Sequence, residues 1–294
     1  MNPDCYQVVT DRIIHLLEKG VVPWQKPWSA QTSPKNLISL KEYRGINTFL
    51  LNAMMYESPF FLTFKQAAQL GGNVKRGEKA TPVVFWKWFD AKDENVPTKI
   101  KRIPFLRYYS VFNLSQCEGI APCKIPIIGE SNAEKKPIEQ ADKIIINMPQ
   151  KPIIHFGSDR ACYRPSLDRV DMPKAETFKK IEDFYSVLFH ELTHSTGHDS
   201  RLNRKGVGSS DGEWSAFGST PYAKEELVAE MGAAFLCSQA GIVERTIENS
   251  ASYVQSWLAK LKDDKKLIVQ AAAQAQKSSD FILGKIQNER DESE

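Results

Sequence analysis

This 294-residue chain carries its most specific chemical pattern in Phe189-His190-Glu191-Leu192-Thr193-His194-Ser195-Thr196-Gly197-His198. Residues four apart lie on one face of a helix, so His190 and His194 can reach one cation while Glu191 points toward the same region. Neutral imidazoles at this spacing are typical Zn²⁺ ligands, and the carboxylate can take a proton from water at the open coordination position. The pattern predicts one Zn²⁺ ion, or another divalent metal, with Glu191 as the catalytic residue.

The third ligand is expected from a later helix, predicted over 220–239 with Thr220 as its N-cap and Pro221 at its first position. Glu226 and Glu230 share a face of this helix, and three small residues would let it approach another helix closely: Ala229, Gly232 and Ala233. The arrangement resembles the zincin metallopeptidases whose third ligand is a glutamate. The resemblance implies Glu226 as the ligand and Glu230 as a support for a ligand histidine. The reverse assignment stays open.

His198 is not expected to be the third ligand. The extended metzincin pattern needs a histidine at position 200, where this chain has Ser200. We therefore expect His198 to line the substrate pocket or to support a ligand. Tyr222 and His198 are both candidates for stabilising the oxyanion of a reacting peptide carbonyl.

Hydrophobic periodicity predicts mixed helices and strands, the α+β class. The motif lies on a helix predicted over 176–196 that stops at Gly197, and two extended segments precede it, at 151–156 and 161–172. The remaining predicted elements are a first helix that ends at Gly20, a short helix after the capping box Thr63-Phe64-Lys65-Gln66, strands over 82–89 and 103–114, a helix over 247–261 and a final helix.

The two parts of the chain differ in charge. Residues 1–125 carry 17 Lys and Arg against 10 Asp and Glu, together with four of the six Trp, whereas residues 126–294 carry 22 against 26. Single-stranded DNA requires cations that follow the phosphates and rings that stack on bases, although most aromatic residues of a domain this size belong to its core. The candidate DNA-binding residues are Trp24, Lys26, Trp28, Tyr43, Arg44, Lys65, Lys75, Arg76, Lys87 and Trp88.

Composition also suggests how the chain is organised. The polar segment 126–137, which contains Pro and Gly, is typical of a linker, so 1–125 and 138–294 are predicted as two domains.

Apolar residues make up 41% of the chain and charged residues 26%, which excludes a mainly disordered or collagen-like protein. Five scattered cysteines favour free thiols in a reducing cytoplasm. The charged first 20 residues and the absence of a long apolar run predict neither a signal peptide nor a membrane partner.

Several segments resemble the ArdC antirestriction family. The N-terminal ones are Gly20-Val21-Val22-Pro23-Trp24, Tyr43-Arg44-Gly45-Ile46-Asn47, Leu62-Thr63-Phe64-Lys65-Gln66-Ala67 and Val111-Phe112-Asn113. The second half is similar to the zincin-like domain found with that N-terminal domain, through 190–198, Arg201-Leu202-Asn203-Arg204 and 222–236. The resemblance implies a conjugative-plasmid protein that binds single-stranded DNA and protects incoming plasmid DNA from host restriction.

Three functions are compatible with these patterns. In the first, an antirestriction protein binds single-stranded DNA and carries an active zinc metallopeptidase site, whose partners are host restriction enzymes or another protein substrate. In the second, the chain is a single-stranded-DNA-binding protein whose metal site is structural or vestigial and is not required for protection. In the third, it is a free-standing protease whose N-terminal part recognises protein.

Overall fold

The computed structural model describes residues 4–24, 33–92, 100–127, 136–204, 220–242 and 251–285. Within these ranges the helices are α1 (Cys5–Glu18), α2 (Ile46–Asn52), α3 (Phe64–Gln69), α4 (Pro137–Ile146), α5 (Ile181–Ser195), α6 (Thr220–Ala240), α7 (Ala251–Asp263) and α8 (Leu267–Ile282). The strands are β1 (Lys35–Asn36), β2 (Phe60–Leu62), β3 (Asn73–Val74), β4 (Thr81–Lys92), β5 (Ile100–Asn113), β6 (Cys117–Glu118), β7 (Ile153–Phe156), β8 (Cys162–Arg164) and β9 (Arg169–Met172). This mixture confirms the predicted α+β class.

The N-terminal half is built around a four-stranded sheet in the order β1-β2-β5-β4. β4 and β5 form a long antiparallel hairpin, with Thr81 opposite Val111. The hairpin confirms the strands predicted over 82–89 and 103–114 and extends both. β2 pairs antiparallel with β5 and parallel with β1, while β3 and β6 form a separate antiparallel pair.

Local signals account for two of the three N-terminal helices. The Asp4 side chain accepts a hydrogen bond from the Tyr6 N–H at the start of α1, and the apolar stripe of this helix is buried. Thr63 and Gln66 form the predicted capping box at the start of α3, each side chain accepting from the other residue's backbone N–H. The sequence analysis did not predict α2, because its seven residues are too few to display a helical period.

One hydrophobic core joins the two halves of the chain. α1 and α2 contribute to it from the N-terminal half, and α6, α7 and α8 contribute from the C-terminal half. The rings of Phe49 in α2 and Phe235 in α6 lie 4.6 Å apart, and Trp24 meets Trp257 of α7 edge to face at 6.2 Å. The two halves therefore share this core, although the boundary at 126–137 stays a prediction.

A second core lies under the three-stranded sheet of the C-terminal half, whose order is β7-β9-β8. β7 runs parallel to β9, and β8 runs antiparallel to it at the edge of the sheet. The single extended segment predicted over 161–172 is instead two strands. The chain reverses between them at Asp168, whose φ of +43° is a left-handed conformation that Asp tolerates better than most residues.

The central helix of the C-terminal half begins later than predicted. α5 starts at Ile181 rather than near residue 176. Glu182 and Asp183 fill its first turn, where carboxylates interact favourably with the helix dipole. Phe178, which fits the helical stripe in the sequence, lies before the helix and packs edge to face on Phe184 with ring centroids 5.5 Å apart.

The other C-terminal helices differ from the sequence analysis mainly at their ends. α6 matches the helix predicted over 220–239 to within one residue. α7 ends at Asp263, and the first residues of the helix predicted over 247–261 lie outside the described part of the chain. α4 was not predicted and begins where the proposed linker ends. None of the described helices is long and apolar enough to cross a membrane, and all five cysteines are free thiols.

Candidate metal centre

α5 presents both histidines of the motif toward α6. The Nε2 atoms of His190 and His194 are 3.1 Å apart, and the two ring planes lie at 78° to each other. This spacing follows from helical geometry, because residues four apart stack on one face. Two imidazole nitrogens that converge on one point can share a cation.

α6 brings Glu226 to the same point. Its Oε2 lies 3.6 Å from His190 Nε2, and its Oε1 lies 3.6 Å from His194 Nε2. One ligand atom from each of the three residues lies within 4.8 Å of the others. The ligand atoms of a tetrahedral Zn²⁺ site, each about 2.0–2.2 Å from the ion, are separated by about 3.3–3.6 Å. The three side chains therefore fit one divalent cation.

The close approach of α6 to α5 depends on small residues. A Cβ atom at Gly232 would lie 2.4 Å from Cγ2 and 2.7 Å from Oγ1 of Thr193 in α5, so this helix spacing requires glycine. Ala229 and Ala233 are buried in α6 as well. The small-residue face predicted from the sequence is thus the face that meets α5.

The main chain of the edge strand β8 holds the side chain of Glu191. The Tyr163 N–H donates a 2.7 Å hydrogen bond to Glu191 Oε2. Tyr163 is itself fixed, because its hydroxyl donates to Asp168 Oδ1 at 2.9 Å and its ring is buried. Arg201 donates to the Asp168 carboxylate and to the main-chain carbonyl of Ser195 at the end of α5. The orientation of Glu191 is therefore set by the β8–β9 turn.

Electrostatics in the cluster favour ionised carboxylates. Burial would raise the pKa of Glu226, but the neighbouring imidazoles of His190 and His194 lower it to about 2. Burial would lower the pKa of His190, but Glu226, Glu191 and Glu230 together raise it above its usual value. The metal-free cluster thus attracts positive charge, and a proton and a cation compete for it.

A cavity of about 520 Å³ opens over the ligand cluster. Tyr222 lines it, and burial together with the charge of Glu226 raises the pKa of Tyr222 to about 12, so that its hydroxyl stays a donor at neutral pH. His198 is not among the described residues that line this cavity, and the roles expected for it stay predictions. Its Nδ1 is instead 2.8 Å from both Ser200 Oγ and Asp199 Oδ1.

The carboxylate that contacts Nδ1 of His194 is that of Glu225, which the sequence did not single out, and the support expected from Glu230 stays a prediction. Glu225 Oε1 lies 3.2 Å from His194 Nδ1. Glu230 Oε2 accepts a 2.9 Å hydrogen bond from the Trp24 indole N–H. Neighbouring helical residues point about 100° apart, so Glu225 and Glu226 approach His194 from different sides. The adjacent glutamates were the signal for this arrangement in the sequence.

The structure also corrects several DNA-binding candidates. Trp24 is 1% exposed and Tyr43 is 7% exposed, so neither ring can stack on a base in this conformation. Both rings belong to the hydrophobic core instead. The Arg44 guanidinium is paired with the buried carboxylate of Asp280, but its side chain is 52% exposed, so DNA binding by Arg44 stays a prediction.

The other DNA-binding candidates remain predictions. Lys65, Lys75 and Arg76 are exposed, and the Lys75 ammonium donates to the Ser115 carbonyl at 2.9 Å. Lys26 and Trp28 lie outside the described residues, as do the side chains of two residues in β4, Lys87 and Trp88.

Each half of the chain matches the family model of a known domain. Residues 3–112 match the family model of the N-terminal domain of anti-restriction factor ArdC, and residues 139–274 match that of a zincin-like metallopeptidase. Two crystal structures of the antirestriction ArdC protein from plasmid R388, one metal-free and one with Mn(II) bound, are each 36% identical to this chain with a TM-score of 0.73. They cover 98% and 97% of this chain, and 100% and 99% of their own chains are matched.

Three relatives align over 95% of this chain. Two are DNA primases TraC of Escherichia coli, each 35% identical, and the third is the uncharacterized protein y4eC of Sinorhizobium fredii, which is 34% identical over 91% of its own length. The chain spans only 27% and 20% of the two TraC proteins.

The fold and the ligand cluster define a protein in which an ArdC-type N-terminal domain is joined to a zincin-like metallopeptidase domain. The chain belongs to the ArdC antirestriction protein family.

Proposed function

We propose that this chain binds a divalent metal ion, with Zn²⁺ as the expected species, through His190, His194 and Glu226. The observation that carries the proposal is the spacing of the three ligand atoms, 3.1 Å between the histidine nitrogens and 3.6 Å from each nitrogen to a carboxylate oxygen. The Mn(II) in the related ArdC structure supports a divalent ion at a site of this kind.

The same cluster supports peptide-bond hydrolysis. A bound divalent ion would supply Lewis acidity toward a peptide carbonyl and would lower the pKa of water to about 7. Glu191, next to the ligand cluster, takes a proton from the attacking water and returns it to the leaving amine. Tyr222 lines the cavity with a protonated hydroxyl and donates to the developing oxyanion.

Metal analysis tests the first part of this proposal. The purified full chain is expected to hold close to one divalent ion, and His190→Ala and Glu226→Ala are expected to lose it. His155→Ala is the matched control, because its imidazole is exposed on β7 and lies outside the ligand cluster. Equal metal content in all four proteins would contradict the site.

We propose further that the N-terminal half binds single-stranded DNA and that the protein protects incoming plasmid DNA from restriction. The excess of basic residues in 1–125 and the match of 3–112 to the ArdC N-terminal domain support this. A gel-shift titration of the full chain with single-stranded oligonucleotides tests it. The affinity is expected to fall steeply with salt, and an affinity that is absent or insensitive to salt would favour a module that recognises protein.

A structural role for the metal is the second candidate. The three ligands come from α5 and α6, so an ion would also join these two helices, and one oxygen of Glu191 is already held by the Tyr163 N–H. Glu191→Gln separates the two functions. If hydrolysis of a restriction enzyme or another protein is required, the variant keeps the metal but loses protection in plasmid transfer to a restricting recipient. Unchanged protection would favour the structural role.

A further inference from the structure

A buried charged network lies on the side of His194 that faces away from the ligand cluster. His194 Nδ1 is 3.2 Å from Glu225 Oε1, and the same oxygen accepts a 2.6 Å hydrogen bond from an Arg204 NH2 group. Arg204 Nε donates to the other carboxylate oxygen at 3.1 Å. The side chains of all three residues are at most 6% exposed. The network therefore ends at a ligand histidine without reaching solvent.

Arg204 is fully hydrogen-bonded. Besides its two bonds to Glu225, it donates to the Thr193 carbonyl, to Thr196 Oγ1 and to Ser278 Oγ. These five bonds use all five N–H groups of the guanidinium. Arg204 thus ties the end of α5, α6 and α8 together and holds the Glu225 carboxylate in one orientation.

The direction of the hydrogen bond to His194 follows from these contacts. Both oxygens of Glu225 already accept from Arg204, so the carboxylate is ionised and can only accept. His194 must then donate from Nδ1, and the neutral imidazole that a metal ion requires carries its lone pair on Nε2. That lone pair points toward Glu226 and toward Nε2 of His190.

Stability alone does not account for this network. Removing two charges from water costs several kcal/mol, and apolar residues of similar size are often as stable or more stable at such positions. A carboxylate behind a metal-ligating histidine, in contrast, fixes the tautomer and the ring orientation. The contacts of His194 with Glu225, and of Glu225 with Arg204, fit the second role.

We propose that Glu225, held by Arg204, is a positioning residue that fixes His194 with its Nε2 lone pair directed into the metal site. This inference rests on the proposed metal function. It also gives a role to Arg204 of the Arg201-Leu202-Asn203-Arg204 segment, which the sequence analysis connected only with the family resemblance. Glu230, one helical turn further along α6, accepts a hydrogen bond from the Trp24 indole N–H.

Two variants of the full chain test the proposal by metal affinity and by stability. Zn²⁺ affinity is measured by competition with a chelator, and stability of the metal-free protein is measured by urea unfolding. Glu225→Gln keeps the shape but loses the charge, and it is expected to weaken Zn²⁺ binding about 10- to 100-fold. The double variant Arg204→Met with Glu225→Met removes the whole ion pair, and it is expected to fold and to bind Zn²⁺ as weakly as the single variant.

The matched control is Asp280→Asn, which alters another buried carboxylate paired with an arginine, Arg44, outside the ligand cluster. It is expected to change the Zn²⁺ affinity less than twofold. Wild-type affinity in Glu225→Gln, or in a well-folded double variant, would overturn the positioning role while leaving the metal site intact. A wild-type protein that binds no divalent metal would overturn the proposed function, and the positioning role with it.

Discussion

The indole N–H of Trp24 donates a 2.9 Å hydrogen bond to Glu230 Oε2, across 206 positions of sequence. Trp24 follows α1 in the ArdC-type half, whereas Glu230 lies one helical turn after the proposed ligand Glu226 on α6. The bond lies beside the hydrophobic core that both halves share. The part of the molecule expected to bind DNA is therefore in direct contact with the helix that carries the proposed third ligand, Glu226.

Trp24→Phe is expected to lower the free energy of unfolding by about 1–3 kcal/mol, because it removes the donor to Glu230 and leaves a gap in the shared core. Urea unfolding of the full chain measures this change, with Trp86→Phe as a control at a half-buried position. A common core predicts a single transition. Two separate transitions would show that the halves unfold independently.

Gly232→Ala is expected to destabilise the protein and to weaken metal binding. Alanine is favoured over glycine in a helix by about 1 kcal/mol, but its Cβ would lie 2.4 Å from Thr193 Cγ2. Thr193 is fully buried, and its hydroxyl donates a hydrogen bond to the main-chain carbonyl of Phe189, so the side chain cannot move aside. The net loss is expected to be about 1–3 kcal/mol by thermal or urea unfolding.

A compensating change tests the steric cause of that loss. Thr193→Ala removes both Cγ2 and Oγ1, the two atoms nearest to the added methyl group. The double variant is therefore expected to be more stable than the sum of the two single changes predicts. Additive losses would rule out the contact between these two positions as the cause.

Zn²⁺ affinity is expected to fall as the pH is lowered. Burial lowers the pKa of His190. The nearby carboxylates of Glu226, Glu191 and Glu230 have the larger combined effect and raise that pKa above its ordinary value of 6.5. A metal ion requires the neutral imidazole, so once the pH is below this raised pKa the affinity should drop about tenfold per pH unit for one displaced proton. Chelator competition between pH 5 and 8 measures the midpoint.

Glu230→Gln is the matched variant for this pH dependence. It removes one of the charges that raise the pKa of His190, while its amide oxygen can still accept from Trp24. The midpoint is therefore expected to move to lower pH. A shift to higher pH, or none, would mean that the charge of Glu230 does not act on the metal site.

Asp168→Asn is expected to reduce stability at neutral pH and to make it less sensitive to acid. Burial raises the pKa of Asp168, but hydrogen bonds from Arg201 and Tyr163 lower it below 3.8 overall. A lowered pKa contributes stability that is present above the unfolded value, near 3.9, and is lost as the pH falls through the folded value. After allowance for solvent screening, the loss at pH 7 is about 1 kcal/mol.

This substitution keeps the backbone unchanged, because Asn tolerates the left-handed conformation of residue 168. Urea unfolding at pH 7 and pH 3.5 is the measurement. The gap in stability between wild type and variant should narrow toward pH 3.5. A gap that widens at low pH would contradict the direction of the pKa shift.

Single-stranded DNA binding is expected to depend on the exposed basic residues Lys65, Lys75 and Arg76. If each of them contacts a phosphate, each change to Ala should reduce the slope of log affinity against log salt by about 0.7. Lys179→Ala, at an exposed lysine of the other half, is the control and should leave the slope unchanged. Unchanged slopes in all variants would place the DNA interface elsewhere.

Short-range patterns made much of this structure predictable. The capping box at Thr63, the β4–β5 hairpin and the spacing of His190 and His194 all depend on residues near one another in sequence. α6 could be predicted from Thr220 and Pro221 at its start because an N-cap followed by proline is a local signal. The close approach of α6 to another helix could also be predicted, because small residues recur at helical spacing along α6.

The features that could not be predicted from the sequence depend on long-range contacts. Trp24 and Tyr43 fit a DNA-binding pattern in the sequence, but their burial follows from partners far along the chain, such as Trp257. The contact of Glu225 with Nδ1 of His194 depends on the rotation of α6 relative to α5, which a helical period alone leaves undefined. A shared core likewise leaves no trace in composition, because each half is apolar enough to suggest a core of its own.

The interlocked core also bears on how genes of this kind recombine. A crossover that joined the first 125 residues of one relative to the remainder of another would separate Phe49 from Phe235, so the hybrid would pack well only where the two parents carry compatible side chains at both positions. Crossover points before residue 49 or after residue 235 would keep these two rings together. In each of the two much longer TraC proteins, the matched region includes both halves of this chain, since it covers 95% of it.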